Sequence, residues 1–171
     1  MSWLRRILGG SREGSPDERP APVRAHRPDE GPVYGHGEVK LEPAKAQLLE
    51  LLRERGARSA VVTYEGGNDE GWITSFEYSA VALGAEPAEW QGDSLVDAQA
   101  VDVDAAIEAA GGPDDALFEA AEAVMCDKWG SFAGEFEVEG RLIIDVDSGR
   151  IARRDILSVE GGPEGTEIEA I

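Results

Sequence analysis

The chain of 171 residues reads as an α+β domain: an antiparallel sheet of about four to five strands, two main helices on one face, order αββ(α)αβββ. Two apolar patterns of helical period predict the helices. A glycine-rich turn between apolar runs predicts a hairpin, and strand-like segments crowd the last third. The domain is expected over residues 38–160, behind a tail (1–37) and ahead of a frayed acidic end (161–171).

The first helix follows Glu42, with Pro43 suited to its first turn. Ala44, Leu48, Leu51 and Leu52 fall on one helical face, and Gly56 is placed to end it. Ser59 to Tyr64 and Trp72 to Leu83 read as strands flanking Glu65-Gly66-Gly67-Asn68-Asp69-Glu70-Gly71, a segment rich in residues that tolerate positive φ. On the second strand Trp72, Thr74, Phe76 and Tyr78 alternate, so they are expected on one face, as core packing.

Residues 84–101 form a long connector interrupted by Gly84, Pro87 and Gly92, with a short strand possible at Val101 and Val103. Asp104 is placed to cap a short Ala-rich helix ending at Gly111-Gly112. Pro113-Asp114-Asp115 opens the second main helix, with Leu117, Ala120, Ala121, Val124 and Met125 on its apolar face. Three strand candidates follow: Gly134–Glu139, Arg141–Val146 and Ile151–Val159, divided by Gly140 and by the Asp147-Ser148-Gly149 turn.

Charge is distributed unevenly along the chain. Residues 1–37 hold six Arg against five Asp or Glu, whereas residues 38–171 hold ten Lys or Arg against thirty Asp or Glu, a net of -20. So negative a surface repels phosphate backbones and anionic lipid headgroups, which argues against direct nucleic-acid or membrane binding and for a basic protein partner. No stretch of eighteen apolar residues exists, and the single cysteine, Cys126, permits no intrachain disulfide. A cytoplasmic location is the expectation.

The tail carries five of the nine prolines, between Pro16 and Pro32, and is expected to remain disordered. As a flexible chain it would span about 30 Å. It tethers Trp3, Leu4, Ile7 and Leu8, which would share one side of a helical turn with Arg5 and Arg6 opposite. That pattern suits docking in a protein groove, with weak membrane-surface contact as the lesser reading.

Both histidines, His26 and His36, precede the folded domain, so histidine catalysis has no source within it. Zinc ligands and phosphate-binding glycine loops are lacking too. Carboxylates remain. Glu65, Asp69 and Glu70 are the candidate oxygen ligands for calcium or magnesium, although a solvated turn explains them more simply. The D-x-D-x-G pattern at Asp145, Asp147 and Gly149 is read as a hairpin turn. Cys126 is read as a small buried hydrophobe, and Trp90 as tucked over the core edge or anchoring a partner.

Val62-Thr63-Tyr64-Glu65-Gly66-Gly67-Asn68-Asp69-Glu70-Gly71-Trp72-Ile73 resembles a signature of an uncharacterised bacterial domain family often met on plasmids. There an apolar strand passes through an acidic, glycine-rich turn into the next strand. Trp129-Gly130-Ser131-Phe132-Ala133-Gly134-Glu135-Phe136 resembles the same family's glycine-tryptophan segment and G-E-F strand. The family's asparagine-rich stretch is missing here, and Glu70 replaces a small residue. The resemblance, over about residues 41–155, implies a helix-hairpin-helix-hairpin order with the two loops as neighbours. It carries no activity.

The functional expectation is a non-enzymatic acidic interaction module without a cofactor, of adaptor, immunity or charge-mimic type, with a tethered docking peptide. The alternative is a divalent-metal protein or metal-dependent enzyme, with its site where the Glu65–Gly71 and Trp129–Gly134 loops meet.

Overall fold

A computed structural model describes residues 41–108, 111–130, 132–159 and 165–171. The tail, with Trp3, Leu4, Ile7 and Leu8, lies outside the described residues. The order is α1 (Leu41–Glu54), β1 (Ser59–Gly67), β2 (Glu70–Ser79), a 3-10 turn (Pro87–Glu89), β3 (Gln99–Ala100), α2 (Val103–Glu108), α3 (Pro113–Trp129), β4 (Phe136–Asp145), β5 (Arg150–Val159) and β6 (Gly165–Ala170). All neighbouring strands pair antiparallel, in the spatial order β3-β2-β1-β4-β5-β6. The α+β class holds. The sheet has six strands rather than four or five, and the element order differs from the expected one.

The extra strands come from two places. β3 lies at Gln99–Ala100, just ahead of Val101, and pairs with Glu77 and Tyr78. β6 is formed by residues expected to fray. It pairs with β5 from Leu157 to Ala152, and the amide of Ile171 donates to the Ile151 carbonyl at 2.9 Å.

α1 ends in a Schellman pattern. Gly56, at φ 72°, follows the cap; its N–H donates to the Arg53 carbonyl at 2.9 Å, and the Ala57 N–H to that of Leu52 at 3.0 Å. Ala44, Leu48, Leu49 and Leu52 are buried, with Leu51 only partly so. Asp102, not Asp104, caps α2, its carboxylate accepting from the Ala105 amide at 3.0 Å. On α3 the expected face is buried throughout: Leu117, Ala120, Ala121, Val124 and Met125. These two helices pack on each other and on one face of the sheet, against Ala60, Val62, Tyr64, Phe76, Leu142, Ile144 and Ile151.

β1 and β2 meet in a two-residue turn, Asn68 (φ 53°) and Asp69 (φ 71°), as a type I′ hairpin requires. Farther along, Thr63 pairs with Ser75 but Tyr64 with Ile73, so Thr74 is an extra residue. This bulge reverses the facing of everything before it on β2. Phe76 stays in the core, 5.7 Å from the Phe118 ring, and Ile73 joins it; Trp72 emerges on the opposite face, 50% exposed. The single aromatic face expected for Trp72, Thr74, Phe76 and Tyr78 is therefore split.

Gly140 does not divide two strands. β4 runs through it, pairing Gly140 with Tyr64 on one side and Asp155 on the other. The Tyr64 ring lies on Gly140, and a Cβ there would come within 2.2 Å of two of its ring carbons. Gly66 and Gly71, paired across the hairpin, likewise leave room for the Phe132 ring.

Tyr64 is fully buried and its hydroxyl is held by Asp155, so it has nowhere to retreat. Gly140→Ala is expected to cost about 2 kcal/mol, read as a lower denaturation midpoint at unchanged slope. Gly165→Ala, whose methyl would meet nothing within 4 Å, is expected to cost under about 0.5 kcal/mol. Equal midpoints for the two variants would show that the Tyr64 ring gives way freely.

Candidate functional site

The two glycine-rich loops do meet. The Asp69 N–H donates to the Phe132 carbonyl at 3.0 Å, and the Phe132 ring seats on the Gly66–Gly71 pair. What they build there is packing. Glu65, Asp69 and Glu70 are exposed, and among the described residues no group of three or more His, Cys, Asp or Glu gathers as a metal site. Asp145 and Asp147 belong to the β4–β5 turn: Asp145 accepts from the Ser148 hydroxyl at 2.6 Å, and Asp147 from Arg58 at 2.6 Å. Burial works against the Asp145 carboxylate, but hydrogen bonds from Ser148 and the Arg150 charge prevail and hold its pKa below the usual range.

Beneath α3 the sheet carries a buried polar row. Tyr64 donates to Asp155 at 2.5 Å across Gly140, and Lys128 on α3 donates to the other Asp155 oxygen at 3.0 Å and to Glu167 on β6 at 2.8 Å. Both Tyr64 and Asp155 are fully buried. Burial first, then the Asp155 carboxylate, pushes the Tyr64 pKa up. Burial opposes the charge on Lys128, yet its bonds to Glu167 and Asp155 outweigh that and raise its pKa. The Lys128 ammonium also lies 4.7 Å from the Trp129 ring centroid. In the next row Arg153, 1% exposed, donates to the Val124 carbonyl at 2.6 Å and pairs with Glu169 on β6 at 3.5 Å. These contacts join α3, β1, β5 and β6. They are read as structural.

Cys126 lies half-buried on α3. Burial, with the nearby Glu122 carboxylate, pushes its thiol up to about 11, which suits a packed side chain rather than a nucleophile.

The opposite face of the sheet is divided. At one end, Val61, Ile143 and Ala152 are buried without belonging to the helix-side core. They lie beneath the connector between β2 and β3, whose 3-10 turn packs on β4, β5 and β6. Arginines fasten it: Arg154 donates to the Trp90 carbonyl at 2.6 Å, Arg141 to that of Gly92 at 3.4 Å, and Arg150 pairs with Glu86. Trp90 is half-buried here, its ring against Gly92. The ring is thus tucked within the connector itself.

At the other end nothing among the described residues covers the face. The register sets Trp72, Glu65, Glu139 and Ile156 side by side on β2, β1, β4 and β5, with Gly67, Glu137 and Ser158 in the row beyond. Together with Asn68 and Val138 they line a groove of about 370 Å³. Glu65, Glu137 and Glu139 are exposed and Ile156 is half-buried. Of these, sequence reasoning placed Trp72 in the core and overlooked Glu137 and Glu139. Alternate acidic positions on an otherwise apolar strand, Glu135, Glu137 and Glu139, were the available signal.

No family model, curated protein or solved structure matches the chain.

Two measurements test this account. Lys128→Met leaves the buried Asp155 carboxylate with Tyr64 alone, and an expected loss of about 3 kcal/mol follows. A loss below about 0.5 kcal/mol would refute the row's structural role. Iodoacetamide is expected to alkylate Cys126 at pH 8 about a hundredfold more slowly than an ordinary thiol, the rate rising steadily towards pH 10. A plateau near pH 8.5 would show an unshifted thiol.

Proposed function

We propose that the chain is a non-enzymatic interaction module that seats a basic segment of a protein partner on the uncovered end of its sheet. The observation that carries this reading is Trp72, 50% exposed, with Glu65 next to it in register and Glu139 one strand farther along the same row. A large exposed aromatic ring in one row with two carboxylates suits a segment with more than one Lys or Arg: the ring face and Glu65 attract one cation, and Glu139 pairs with another. Each exposed contact is worth about 0.5–1 kcal/mol. Useful affinity therefore needs several cations in one segment, and the net of -20 over residues 38–171 would speed their encounter. Adaptor, immunity-type and charge-mimic roles all use such chemistry.

A fluorescein-labelled octalysine peptide titrated into the full chain tests the reading. Saturable binding at 50 mM salt is expected, weakened at least about fivefold by Trp72→Ala and by Glu65→Gln/Glu139→Gln. Absence of saturable binding would sink the reading. So would binding that neither variant changes, because the diffuse charge of the domain would then be its source.

A further inference from the structure

Resting on the reading above, we infer that the segment Trp3-Leu4-Arg5-Arg6-Ile7-Leu8 occupies the Trp72 groove of the same molecule and competes with the basic partner. The complementarity is of both kinds. Bound in extended rather than helical form, the segment would set Arg5 on one face with Trp3 and Ile7, matching Glu65, Glu137 and Glu139 with its charge and Trp72 and Ile156 with its apolar residues, while Arg6 adds charge at the rim. Ile168 on β6, also 50% exposed, extends the apolar surface next to Arg154 in the adjoining row.

The fold places the start of α1 at the groove end of the sheet, on the helix-covered face. Arg53 and Arg55, at the C-terminal end of α1, reach the Val146 carbonyl at 3.1 Å and Asp114 at 2.8 Å. Asp114 opens α3, so the two packed helices run antiparallel. α3 ends at Trp129, beside the Phe132 seat on Gly66 and Gly71. Leu41, where α1 begins, therefore lies towards the groove end, about 20 Å from the β4–β5 turn. The connecting residues 9–40 reach about 30 Å even as a coil, comparable to the length of β1.

Tethering makes a weak contact effective. A short flexible connection supplies an effective concentration on the order of 1 mM, so a segment with a dissociation constant of about 100 µM would be about nine-tenths bound. The partner's apparent affinity then falls about tenfold.

Hydrogen exchange on the full chain is the test, with Arg5→Glu/Arg6→Glu as the variant and Arg24→Glu/Arg27→Glu as the control of equal charge. The expected result is faster exchange at Glu65–Trp72 and Glu137–Glu139 in the first variant alone, independent of protein concentration. Octalysine should bind that variant about tenfold more tightly than the parent chain. Equal exchange in parent and first variant would overturn the inference. The same change in the control would also overturn it, pointing to diffuse charge, as would concentration-dependent protection, pointing to a second copy. Loss of protection in a chain that never binds octalysine would uphold the tail contact and refute only the partner reading.

Discussion

One cross-sheet contact sets the terms for the rest: the Tyr64 hydroxyl reaches over β4 to a fully buried carboxylate on β5. A charge so deep in an apolar layer is tolerable only when its oxygens are satisfied. Tyr64 and Lys128 each take one. That requirement fixes several other features. The residue between Tyr64 and Asp155 must lack a side chain, which is why Gly140 sits within a ten-residue strand. The C-terminal turn of α3 must lie over β5 for Lys128 to reach it. β6 in turn is held to the same ammonium through Glu167.

The bulge at Thr74 is the second determinant. An uninterrupted β2 would carry the Phe76 parity through to Trp72, directing a large ring towards the helices. The extra residue instead turns Ile73 inwards and Trp72 outwards. A small change in register thus turns a core aromatic into a surface one, beside carboxylates that were outward-facing already. The residues proposed to bind arise here from a local irregularity that the hairpin tolerates because its tip is a two-residue turn of fixed register.

The connector decides how much of that surface stays open. Its backbone carbonyls at Trp90 and Gly92 accept from arginines that would otherwise stand on a bare sheet face. It therefore shields Val61 and Ile143 and ends where Thr63 and Arg141 pair. Beyond that line the face is acidic and carries Trp72. The same chain supplies a basic, apolar segment at its start, the occupant proposed for that face.

Much of the fold was legible in the residues. Both main helices, their apolar faces, the Gly56 stop and the glycine-rich hairpin follow from periodicity and from local backbone sterics, which act within a few residues and so are written locally. The meeting of the two loops was not read from the residues themselves; it was only implied by the resemblance. Gly140 was misread because a glycine within apolar alternation marks either a break or a close approach, and only Tyr64 on the neighbouring strand decides which. β6 was missed because its six residues are all exposed, so no apolar alternation betrays a strand held by backbone pairing and by ion pairs to α3 and β5. Charge sign and the acidic character of the domain were determined by the sequence by itself. Which carboxylates stand beside an exposed tryptophan was decided only by the tertiary structure, because register and a single bulge, not composition, choose the face that each side chain occupies.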